Sequence, residues 1–372
     1  MKIRIKKDDI LSVLPRVQSI TNRKTNLAIT ETVLIKTIDS GICLTATDLE
    51  TGFEGFYPAI VESEGSIALN AKIFYEIVKE FPMDEISIVE IENRRVKIGD
   101  KNVEYHIVGM DPQDFPEIPK IENIDFFEID SQNFKKMIER TVMIAPMGDD
   151  KRAHLIGVYF EKLEVGNEKL VRMVSTDGGR LVKVDYLFAE DKILPDIQNV
   201  IVPKKGLNEI GKFLEVDKPV KIGINNDKFI AKKENETIII RLLEGIFPEY
   251  GEIIDNIEGE TIKVDKKPFL MMLKRMSILS SPNYKAAIFS FGDGKLIISH
   301  SNPDFGDAKE DMNINFEGEK RNIPFNPKYF IDALNVIEND VINLNIKDHE
   351  SPCIIEGEGN KNFLSVIMPM QV

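Results

Sequence analysis

The segment Ala71-Lys72-Ile73-Phe74-Tyr75-Glu76-Ile77 decides the fold, because its pattern returns twice further along the chain. The matching segments are Lys204–Ile210 and Pro327–Ala333, at offsets of roughly 120 to 135 residues. Apolar residues in each copy recur at the spacing that places them on one face of an α-helix. Pro327 suits a first helical turn, where its missing N–H costs no hydrogen bond. We therefore predict three copies of one amphipathic helix.

Two further sequence patterns are repeated in the same order along the chain. A short strand pattern followed by a helix pattern opens each copy, at Ile5–Leu11, Ile129–Lys135 and Val264–Leu270. The Phe-Pro-Glu of Asp114–Glu117 returns in Ile246–Glu249. Three independent echoes in a fixed order indicate three tandem repeats. Helices are predicted over 8–20, 72–81, 132–144, 204–215, 266–279 and 327–338.

Between the predicted helices lie short runs rich in Ile, Val and Phe, ended by Gly, Asn and Asp. Val33–Ile38 and Ala287–Phe291 are examples, and this pattern is typical of strands joined by tight turns. Each repeat is therefore predicted as an antiparallel sheet with two helices on one side, an α+β arrangement. Polar seams at Lys120–Asn123 and Asp255–Glu260 place the domains at 1–122, 123–256 and 257–372.

Composition indicates a soluble, cytoplasmic chain. It has 372 residues, 42% of them hydrophobic, and no apolar run approaches the roughly 18 residues of a membrane span. Apolar and basic residues alternate over Met1–Lys7, which predicts an edge strand rather than a signal peptide. Cys43 and Cys353 are interpreted as buried, reduced thiols.

Charge is unevenly distributed along the chain. The net charge of −14 argues against nucleic acid, because phosphate binding usually leaves a basic footprint. The six predicted helices, however, hold 14 basic and 9 acidic residues, and the remainder holds 34 basic and 53 acidic residues. Charged residues on one helix are ordinarily a solvated face. The bias across all six helices predicts basic helix faces that attract phosphate.

Familiar catalytic motifs are absent from the sequence. It contains no GxxxxGK[ST], no GxGxxG after a strand and no GxSxG. The histidines His106, His154, His300 and His349 are scattered, and no Cys/His spacing suits zinc. Asp149-Asp150 and Glu310-Asp311 lie in polar stretches and are interpreted as solvated loops. We expect no catalytic residue, no metal and no cofactor, although missing motifs do not exclude an enzyme.

Five segments carry a family resemblance. They are Leu44–Glu50, Val174–Leu181, Ile201–Gly206, Phe247–Tyr250 and Val366–Met370. Val174–Leu181 resembles the T-D-G-H-R-L signature of the second domain of bacterial sliding clamps, the β subunits of DNA polymerase III. The other segments resemble that family's motifs in order and spacing, so the resemblance covers the whole chain.

The resemblance implies an architecture and a set of partners. Clamps of this family are head-to-tail dimers of three similar domains that form a ring with helices lining the hole. The ring does no chemistry and tethers its partners to DNA, which raises their effective concentration there. The implied partners are duplex DNA without sequence preference, the DNA polymerase III α subunit, a clamp loader, and other polymerases and repair proteins that carry Gln-Leu-type peptides.

The resemblance also implies three sets of site residues. The partner-peptide pocket would comprise Leu155, Thr176, Gly178, Gly179, Arg180, Leu181, Pro248, Ile253, Val366, Met368, Pro369 and Met370. DNA would contact Lys24, Lys72, Lys136, Arg140, Arg152, Lys205 and Lys274. The dimer interface would contain Tyr105, Ile107, Ile278, Leu279, Asp304 and Asp307. Aliphatic and methionine side chains suit an adaptable slot that several peptides share.

The chain departs from the family pattern at the pocket. Gly179 replaces a frequent histidine, Glu252 a common arginine, and Gln371-Val372 a frequent arginine-leucine pair. We therefore expect a more open, more acidic pocket that binds peptides more weakly. Three alternatives remain: a clamp paralogue serving repair or a mobile element, a nuclease-like enzyme using acidic loops, and a structural interaction protein without DNA.

Overall fold

The computed structural model describes residues 1–22, 25–100, 102–118, 121, 124–144, 152–190, 192, 194–225, 227–255 and 259–371. The chain divides into two compact units. Unit 1 comprises Met1–Lys135, Ile193–Gln198 and Lys205–Leu242, and unit 2 comprises Lys136–Lys192, Asn199–Lys204 and Leu243–Val372. The middle repeat is shared between the units, so the three-domain boundaries drawn from the sequence stay a prediction.

A similar order of elements recurs three times, with one additional strand in the first repeat. The first repeat contains β1 (Lys2–Lys6), α1 (Lys7–Leu11), α2 (Leu14–Thr21), β2 (Thr32–Ile38), β3 (Gly41–Thr47), β4 (Thr51–Pro58), β5 (Ile60–Ser63), β6 (Ser66–Asn70), α3 (Ala71–Glu80), β7 (Glu85–Glu90), β8 (Arg95–Gly99) and β9 (Glu104–Val108). The second contains β10 (Phe126–Asp130), α4 (Ser131–Val142), α5 (Ala153–Ile156), β11 (Gly157–Val165), β12 (Glu168–Thr176), β13 (Arg180–Leu187), β14 (Val200–Pro203), α6 (Lys204–Phe213), β15 (Pro219–Asn225), β16 (Lys228–Lys232) and β17 (Glu236–Arg241).

The helix α7 (Gly251–Asp255) links the second repeat to the third. The third repeat contains β18 (Glu260–Asp265), α8 (Lys266–Met276), β19 (Ala287–Gly292), β20 (Lys295–Asn302), β21 (Gly306–Asn313), β22 (Arg321–Phe325), α9 (Pro327–Val336), β23 (Val341–Ile346), β24 (Cys353–Gly357) and β25 (Asn360–Ile367). The predicted threefold α+β repeat is confirmed.

Unit 1 contains two antiparallel sheets. One has the order β5-β1-β7-β8-β9, and the other has the order β10-β15-β16-β17-β4-β3-β2-β6. The pairing of β17 with β4 joins the first and second repeats in a single sheet. Beside this junction the buried carboxylate of Glu236 binds Arg16 through two hydrogen bonds of 2.7 and 2.9 Å and accepts one from the Tyr57 hydroxyl at 2.6 Å. The repeats are thus joined by backbone hydrogen bonds and by a buried ion pair.

Unit 2 repeats this plan. Its larger sheet has the order β14-β11-β12-β13-β25-β24-β23-β18, and its smaller sheet has the order β21-β20-β19-β22. The pairing of β13 with β25 joins the second and third repeats. Beneath the smaller sheet the Phe330 ring of α9 stacks on Phe289 with centroids 4.9 Å apart and meets Phe269 of α8 edge-on at 6.1 Å. This aromatic cluster fixes the helix pair against the sheet.

The predicted helices form where capping and periodicity agree. Asn70 caps α3 by accepting a hydrogen bond from the Ile73 N–H at 3.0 Å, and Asn326 caps α9 by accepting one from the Lys328 N–H at 3.1 Å. Pro327 occupies the first turn of α9, as its position in the sequence indicated.

Two details of the sequence prediction were wrong. The helix predicted over 8–20 is two helices, because Pro15 in the first turn of α2 lacks the N–H that would bond to Leu11 and continue α1. The N-terminal strand is not an edge strand, since β1 pairs with both β5 and β7. Alternation in sequence reports which face is buried and does not distinguish an edge from an interior position.

Both cysteines are free and buried, as predicted, and burial raises the pKa of the Cys43 thiol to about 11. Among the residues that the structure describes, no helix combines the length and apolar character needed to cross a bilayer.

Candidate functional site

The turn from Thr176 to Leu181 is the centre of the candidate site. The side chain of Asp177 closes the turn by accepting hydrogen bonds from the N–H groups of Gly179 and Arg180 at 3.0 and 3.1 Å. Thr176 Oγ1 accepts one from Gly178 N–H at 3.1 Å. Gly178 has a φ of 88°, a conformation that glycine adopts without steric cost. The turn therefore presents its backbone in a fixed orientation.

Arg180 is held in place by neighbours rather than left free for a ligand. Its Nε lies 3.0 Å from Asp177 Oδ2, and its Nη1 lies 2.7 Å from Asp332 Oδ2. The guanidinium also lies over the Tyr329 ring, 4.4 Å from the centroid. With 6% of its surface exposed, this buried and fully paired arginine connects the turn to α9.

Gly179 faces the ring of Tyr329. A Cβ atom built on Gly179 would lie 3.2 Å from the Cε2 and hydroxyl atoms of that ring. A larger residue at this position would therefore displace Tyr329. The sequence prediction of an open wall at Gly179 overlooked that an aromatic side chain from α9 lies against it.

An apolar cluster lies beneath the turn. Its buried members are Val174, Leu181, Ile201, Phe247, Tyr250, Ile254, Ile354, Leu364 and Val366. Above this cluster Ile253 and Met368 are 42% and 37% exposed, and Pro248 is exposed too. Partly exposed apolar side chains over a packed floor provide a surface that a partner's apolar side chain can cover.

The loop that carries Pro248 and Ile253 is fixed at its base. The Tyr250 hydroxyl donates a hydrogen bond to the carboxylate of Glu161, and burial raises the pKa of Glu161. Tyr159 stacks on Phe247 with the ring centroids 4.9 Å apart. The loop is therefore ordered by a buried hydrogen bond and by aromatic packing.

The C-terminal tail is docked on the same site. Met368 N–H donates to the carbonyl of Gly179 at 3.0 Å, and Met370 N–H donates to the carbonyl of Pro324 at 2.8 Å. Termini are usually frayed unless they are tied down in this way. We use the name tail pocket for the predicted peptide site, which comprises Leu155, the turn 176–181, Pro248, Ile253 and the tail 366–370.

Leu155 is positioned by a buried lysine. Lys204 Nζ donates a hydrogen bond to the Leu155 carbonyl at 2.7 Å, and both residues are buried. Burial lowers the pKa of Lys204 to about 8, an effect that the nearby carboxylate of Asp177 partly opposes. This contact could not be predicted from the sequence, because two consecutive lysines at the start of a helix are usually both exposed to solvent.

The predicted DNA-contacting residues differ in how far their side chains are exposed. Lys72, Lys205, Lys274 and Arg152 have exposed side chains. In unit 2, Glu338 lies 2.8 Å from Lys136 Nζ and 3.6 Å from Arg140 Nη2, and Arg140 lies 5.5 Å from the Phe363 ring centroid. Burial lowers the pKa of Arg140. Lys24 lies outside the described residues.

The predicted interface residues lie near sheet edges. Tyr105 and Ile107 belong to β9, the last strand of its sheet, and Asp307 belongs to β21, also a last strand. Ile278 is 75% exposed and Leu279 is partly buried, on a turn of 3-10 helix that follows α8. The sequence interpretation missed Val108 and Phe305, which are 70% and 66% exposed.

Two buried side chains hold the segment that carries Ile278. Asn302 donates a hydrogen bond to the Leu279 carbonyl at 2.7 Å. One ring nitrogen of His300 lies 2.9 Å from the Met276 carbonyl oxygen. Both side chains come from β20 and satisfy carbonyl groups at the end of α8, so the exposed Ile278 is displayed on an ordered support.

The interpretation of Glu310-Asp311 as a solvated loop was wrong, because both residues lie in strand β21 and both carboxylates are ion-paired. Arg275 Nε donates to Glu310 at 2.8 Å, and Lys295 Nζ donates to Asp311 at 2.9 Å. Asp149-Asp150 lies outside the described residues. Within the described part of the chain, no three His, Cys, Asp or Glu side chains are grouped as metal ligands would be.

These features define a three-repeat α+β protein of the DNA-clamp class, with continuous sheets across its repeat junctions and an apolar pocket beside a docked tail. Models of the N-terminal, central and C-terminal domains of the DNA polymerase III beta subunit match residues 1–119, 128–249 and 253–371. The chain therefore belongs to the DNA polymerase III beta subunit family.

Individual relatives match the chain over its whole length. It is 28% identical over 372 residues to a beta sliding clamp of Chlamydia pneumoniae, covering 100% of this chain and 99% of the relative. It is 29% identical over 386 residues to that of Bacillus subtilis, covering 100% of both. A Pseudomonas aeruginosa sliding clamp solved with griselimycin bound has a TM-score of 0.90 at 26% identity, covering 100% of both chains.

The buried Lys204 predicts a pH dependence of stability. Between about pH 8 and its ordinary pKa of 10.5, the folded chain loses a proton that the unfolded chain still binds, so stability should rise with pH. The free energy of unfolding of the wild type minus that of Lys204→Met should therefore increase by about 3 kcal/mol between these two pH values. Urea unfolding of both proteins at several pH values measures the difference.

A matched control for this experiment is Lys205→Met, which removes the exposed neighbouring lysine and leaves the bond to Leu155 intact. The free energy of unfolding of the wild type minus that of Lys204→Met should increase with pH, and the corresponding value for Lys205→Met should stay constant. A difference between wild type and Lys204→Met that stays constant from pH 7.5 to 10.5 would contradict the prediction.

Proposed function

We propose that this protein is a DNA sliding clamp: two copies close a ring around duplex DNA and hold replication proteins there through the tail pocket. The proposal rests mainly on the unused strand edges of the repeats. Family membership and the beta sliding clamps that the chain resembles support it.

The strand pairing of the repeats suggests how a second copy binds. The last strand of the second repeat, β17, pairs with β4, and the last strand of the third repeat, β25, pairs with β13. By position in its repeat, β9 of the first repeat corresponds to β17 and β25. In the same way, β21 of the third repeat corresponds to β4 and β13. Both β9 and β21 are edge strands within the described sheets.

Long exposed sheet edges favour pairing with another chain. Pairing β9 of one copy with β21 of another, twice around a twofold axis, gives a closed head-to-tail dimer in which the same junction recurs six times. Exposed apolar residues beside each edge suit this contact: Tyr105 and Val108 at β9, and Ile278 and Phe305 near β21.

Charge plays a smaller role in this proposed interface. Asp304 and Asp307 are exposed, whereas Glu310 and Asp311 are already paired with Arg275 and Lys295 in the same chain. Because exposed ion pairs contribute at most about 1 kcal/mol, the apolar residues should carry most of the dimer affinity.

Replacing Ile278 by aspartate should therefore break the dimer. At micromolar concentration and moderate salt, sedimentation equilibrium should give twice the chain mass of 42.3 kDa for wild type and the single chain mass for Ile278→Asp. Met271→Asp is the control, because Met271 is exposed on α8 and lies outside the predicted interface set. A wild-type protein that sediments as a monomer would count against the ring.

Sequence-independent DNA contact is assigned to the exposed lysines Lys72, Lys205 and Lys274. Each belongs to a repeat helix, and weak phosphate contacts without base readout permit sliding. Lys136 and Arg140 are weaker candidates, because the carboxylate of Glu338 already lies near both.

The decisive experiment is retention on DNA. After loading by a clamp loader, wild type should stay on a nicked circle and leave the same DNA once it is linearised. Replacing Lys72, Lys205 and Lys274 with glutamate should shorten retention and lower the salt slope of DNA binding by about three units, roughly one per lost phosphate contact.

The control replaces three exposed lysines outside the helices, Lys221, Lys263 and Lys320, with glutamate. This triple variant has the same net charge and should keep the wild-type slope. Equal slopes for the two triple variants would show that the helix lysines do not contact DNA. Equal retention of wild type on circular and linear DNA would reject the clamp function.

The tail pocket is the proposed docking site for partner peptides of the Gln-Leu type. Such peptides insert apolar side chains, which Met368, Ile253 and Pro248 can cover. Expected partners are the DNA polymerase III α subunit, the clamp loader, and other polymerases and repair proteins. A ring that tethers its partners needs no chemistry of its own, and replication of bacterial DNA would place it in the cytoplasm.

Deleting residues 368–372 should abolish peptide binding and leave the dimer intact. The tail's methionine anchor and its bond to Gly179 are lost, and such anchors often contribute about 2 kcal/mol or more. The exposed Glu252 should favour peptides with a basic residue nearby, a preference that Glu252→Arg should reverse. Fluorescence anisotropy of a labelled peptide measures both effects. Unchanged binding by the deletion variant would mean that the tail is packing only.

A further inference from the structure

Unit 1 contains a cavity of about 260 Å³. It lies beside the turn between β3 and β4, and its lining includes Leu49, Gly52, Ile118, Ile239 and Arg241. We call it the Leu49 pocket. All of its walls belong to unit 1, so it is separate from the tail pocket.

The turn at this cavity has the same construction as the turn at the tail pocket. Thr47-Asp48-Leu49-Glu50 corresponds to Thr176-Asp177-Gly178-Gly179. Asp48 Oδ1 accepts hydrogen bonds from the N–H groups of Glu50 and Thr51 at 3.0 and 2.6 Å, and Thr47 Oγ1 accepts one from Leu49 N–H at 3.0 Å. Asp177 and Thr176 make the matching bonds.

The other walls correspond as well. The segment Phe115-Pro116-Glu117 echoes Phe247-Pro248-Glu249, and the two phenylalanines are buried to a similar degree, at 7% and 8% exposed. The strand beside the Leu49 pocket, β17, pairs with β4 as β25 pairs with β13 at the tail pocket. Two pockets in one chain are thus built on the same three elements of successive repeats.

Leu49 carries two energetic costs at once. Its φ is 75°, a left-handed conformation that costs a non-glycine residue roughly 1–2 kcal/mol, and its counterpart Gly178 adopts a φ of 88° without that cost. Its side chain is also 49% exposed, so little apolar burial offsets the strain. Strain of this kind in a residue that lines a cavity points to a ligand.

We propose that the Leu49 pocket is a second peptide-docking site, which accepts a short extended segment of a partner protein through one aliphatic or aromatic side chain. The cavity lies just below the roughly 300 Å³ of small ligand pockets, a size that suits one anchoring side chain better than a whole cofactor. Ile118, Ile239 and Leu49 provide its apolar contacts.

Charged side chains at the rim of the cavity determine which charges are favoured next to the anchoring residue of the peptide. Glu50 and Glu117 are exposed at the rim. Asp227 lies 3.3 Å from Lys228 and is neutralised by it, which leaves Arg241 as the opposing cation. Two carboxylates against one guanidinium favour a peptide whose apolar anchor is flanked by lysine or arginine.

The two pockets carry separate reporters for a binding experiment. Isoleucine δ1-methyl labelling of the full-length protein places Ile118 at the Leu49 pocket and Ile253 at the tail pocket. The probe is the acetylated, amidated hexapeptide Gly-Lys-Leu-Phe-Lys-Gly, and the comparison peptide has glutamate in place of both lysines. Titration of the lysine peptide should shift the Ile118 methyl signal saturably, and the glutamate peptide should bind about tenfold more weakly.

Three variants identify the residue responsible. Leu49→Asp should remove the Ile118 shift, and Leu49→Gly should weaken binding about tenfold while relieving the backbone strain. Leu27→Asp is the matched control, because Leu27 in unit 1 is 46% exposed and lies outside the cavity lining; it should bind as wild type does. Leu49→Gly keeps the test valid if Leu49→Asp fails to fold.

An Ile118 signal that does not move at millimolar peptide, or that moves equally in wild type and Leu49→Gly, would overturn the proposal. The Ile253 signal separates this result from failure of the clamp function. If the lysine peptide shifts the Ile118 methyl signal but not the Ile253 methyl signal, the proposed role of the tail pocket fails and that of the Leu49 pocket stands.

Discussion

The hydrogen-bonding demand of strand edges governs this structure. The last strand of each repeat has backbone N–H and C=O groups that require hydrogen-bond partners. In β17 and β25 these partners are β4 and β13 of the preceding repeats. Both junctions create a turn beside a groove, so the same constraint that joins the repeats also builds the tail pocket and the Leu49 pocket. Among the edge strands of the described sheets, β9 and β21 hold the positions that are paired at the other two junctions, and they lead to the proposed dimer. Sheet continuity therefore underlies fold, assembly and binding together.

The repeated elements were predictable from sequence because amphipathic spacing and capping are local. Asn70 and Asn326 precede apolar-periodic segments, and α3 and α9 begin there. The interruption between α1 and α2 is explained by Pro15 alone and could have been predicted from the sequence. The interior position of β1 could not, since its neighbours β5 and β7 are chosen by tertiary pairing.

Site residues were harder to predict, because their environment comes from distant segments. The pocket positions came from resemblance, and no spacing rule would have brought Leu181 and Val366 together. The ring of Tyr329 against Gly179 and the carboxylate of Glu338 beside Lys136 appear only in three dimensions. Phe305 gave a weak signal as an aromatic in a polar turn, but its exposure of 66% depends on the folded hairpin.

The pairing of β4 with β17 also has a consequence for the order of events during synthesis. Strand β4 leaves the ribosome about 180 residues before its partner, which at 5–20 residues per second takes roughly 10 to 40 s. Throughout that interval the nascent first repeat exposes an apolar, unpaired edge next to the still unmatched Arg16. A chaperone that binds unfolded chains, or a pause that shortens the exposure, would protect the growing chain from strand exchange with its neighbours on the same polysome.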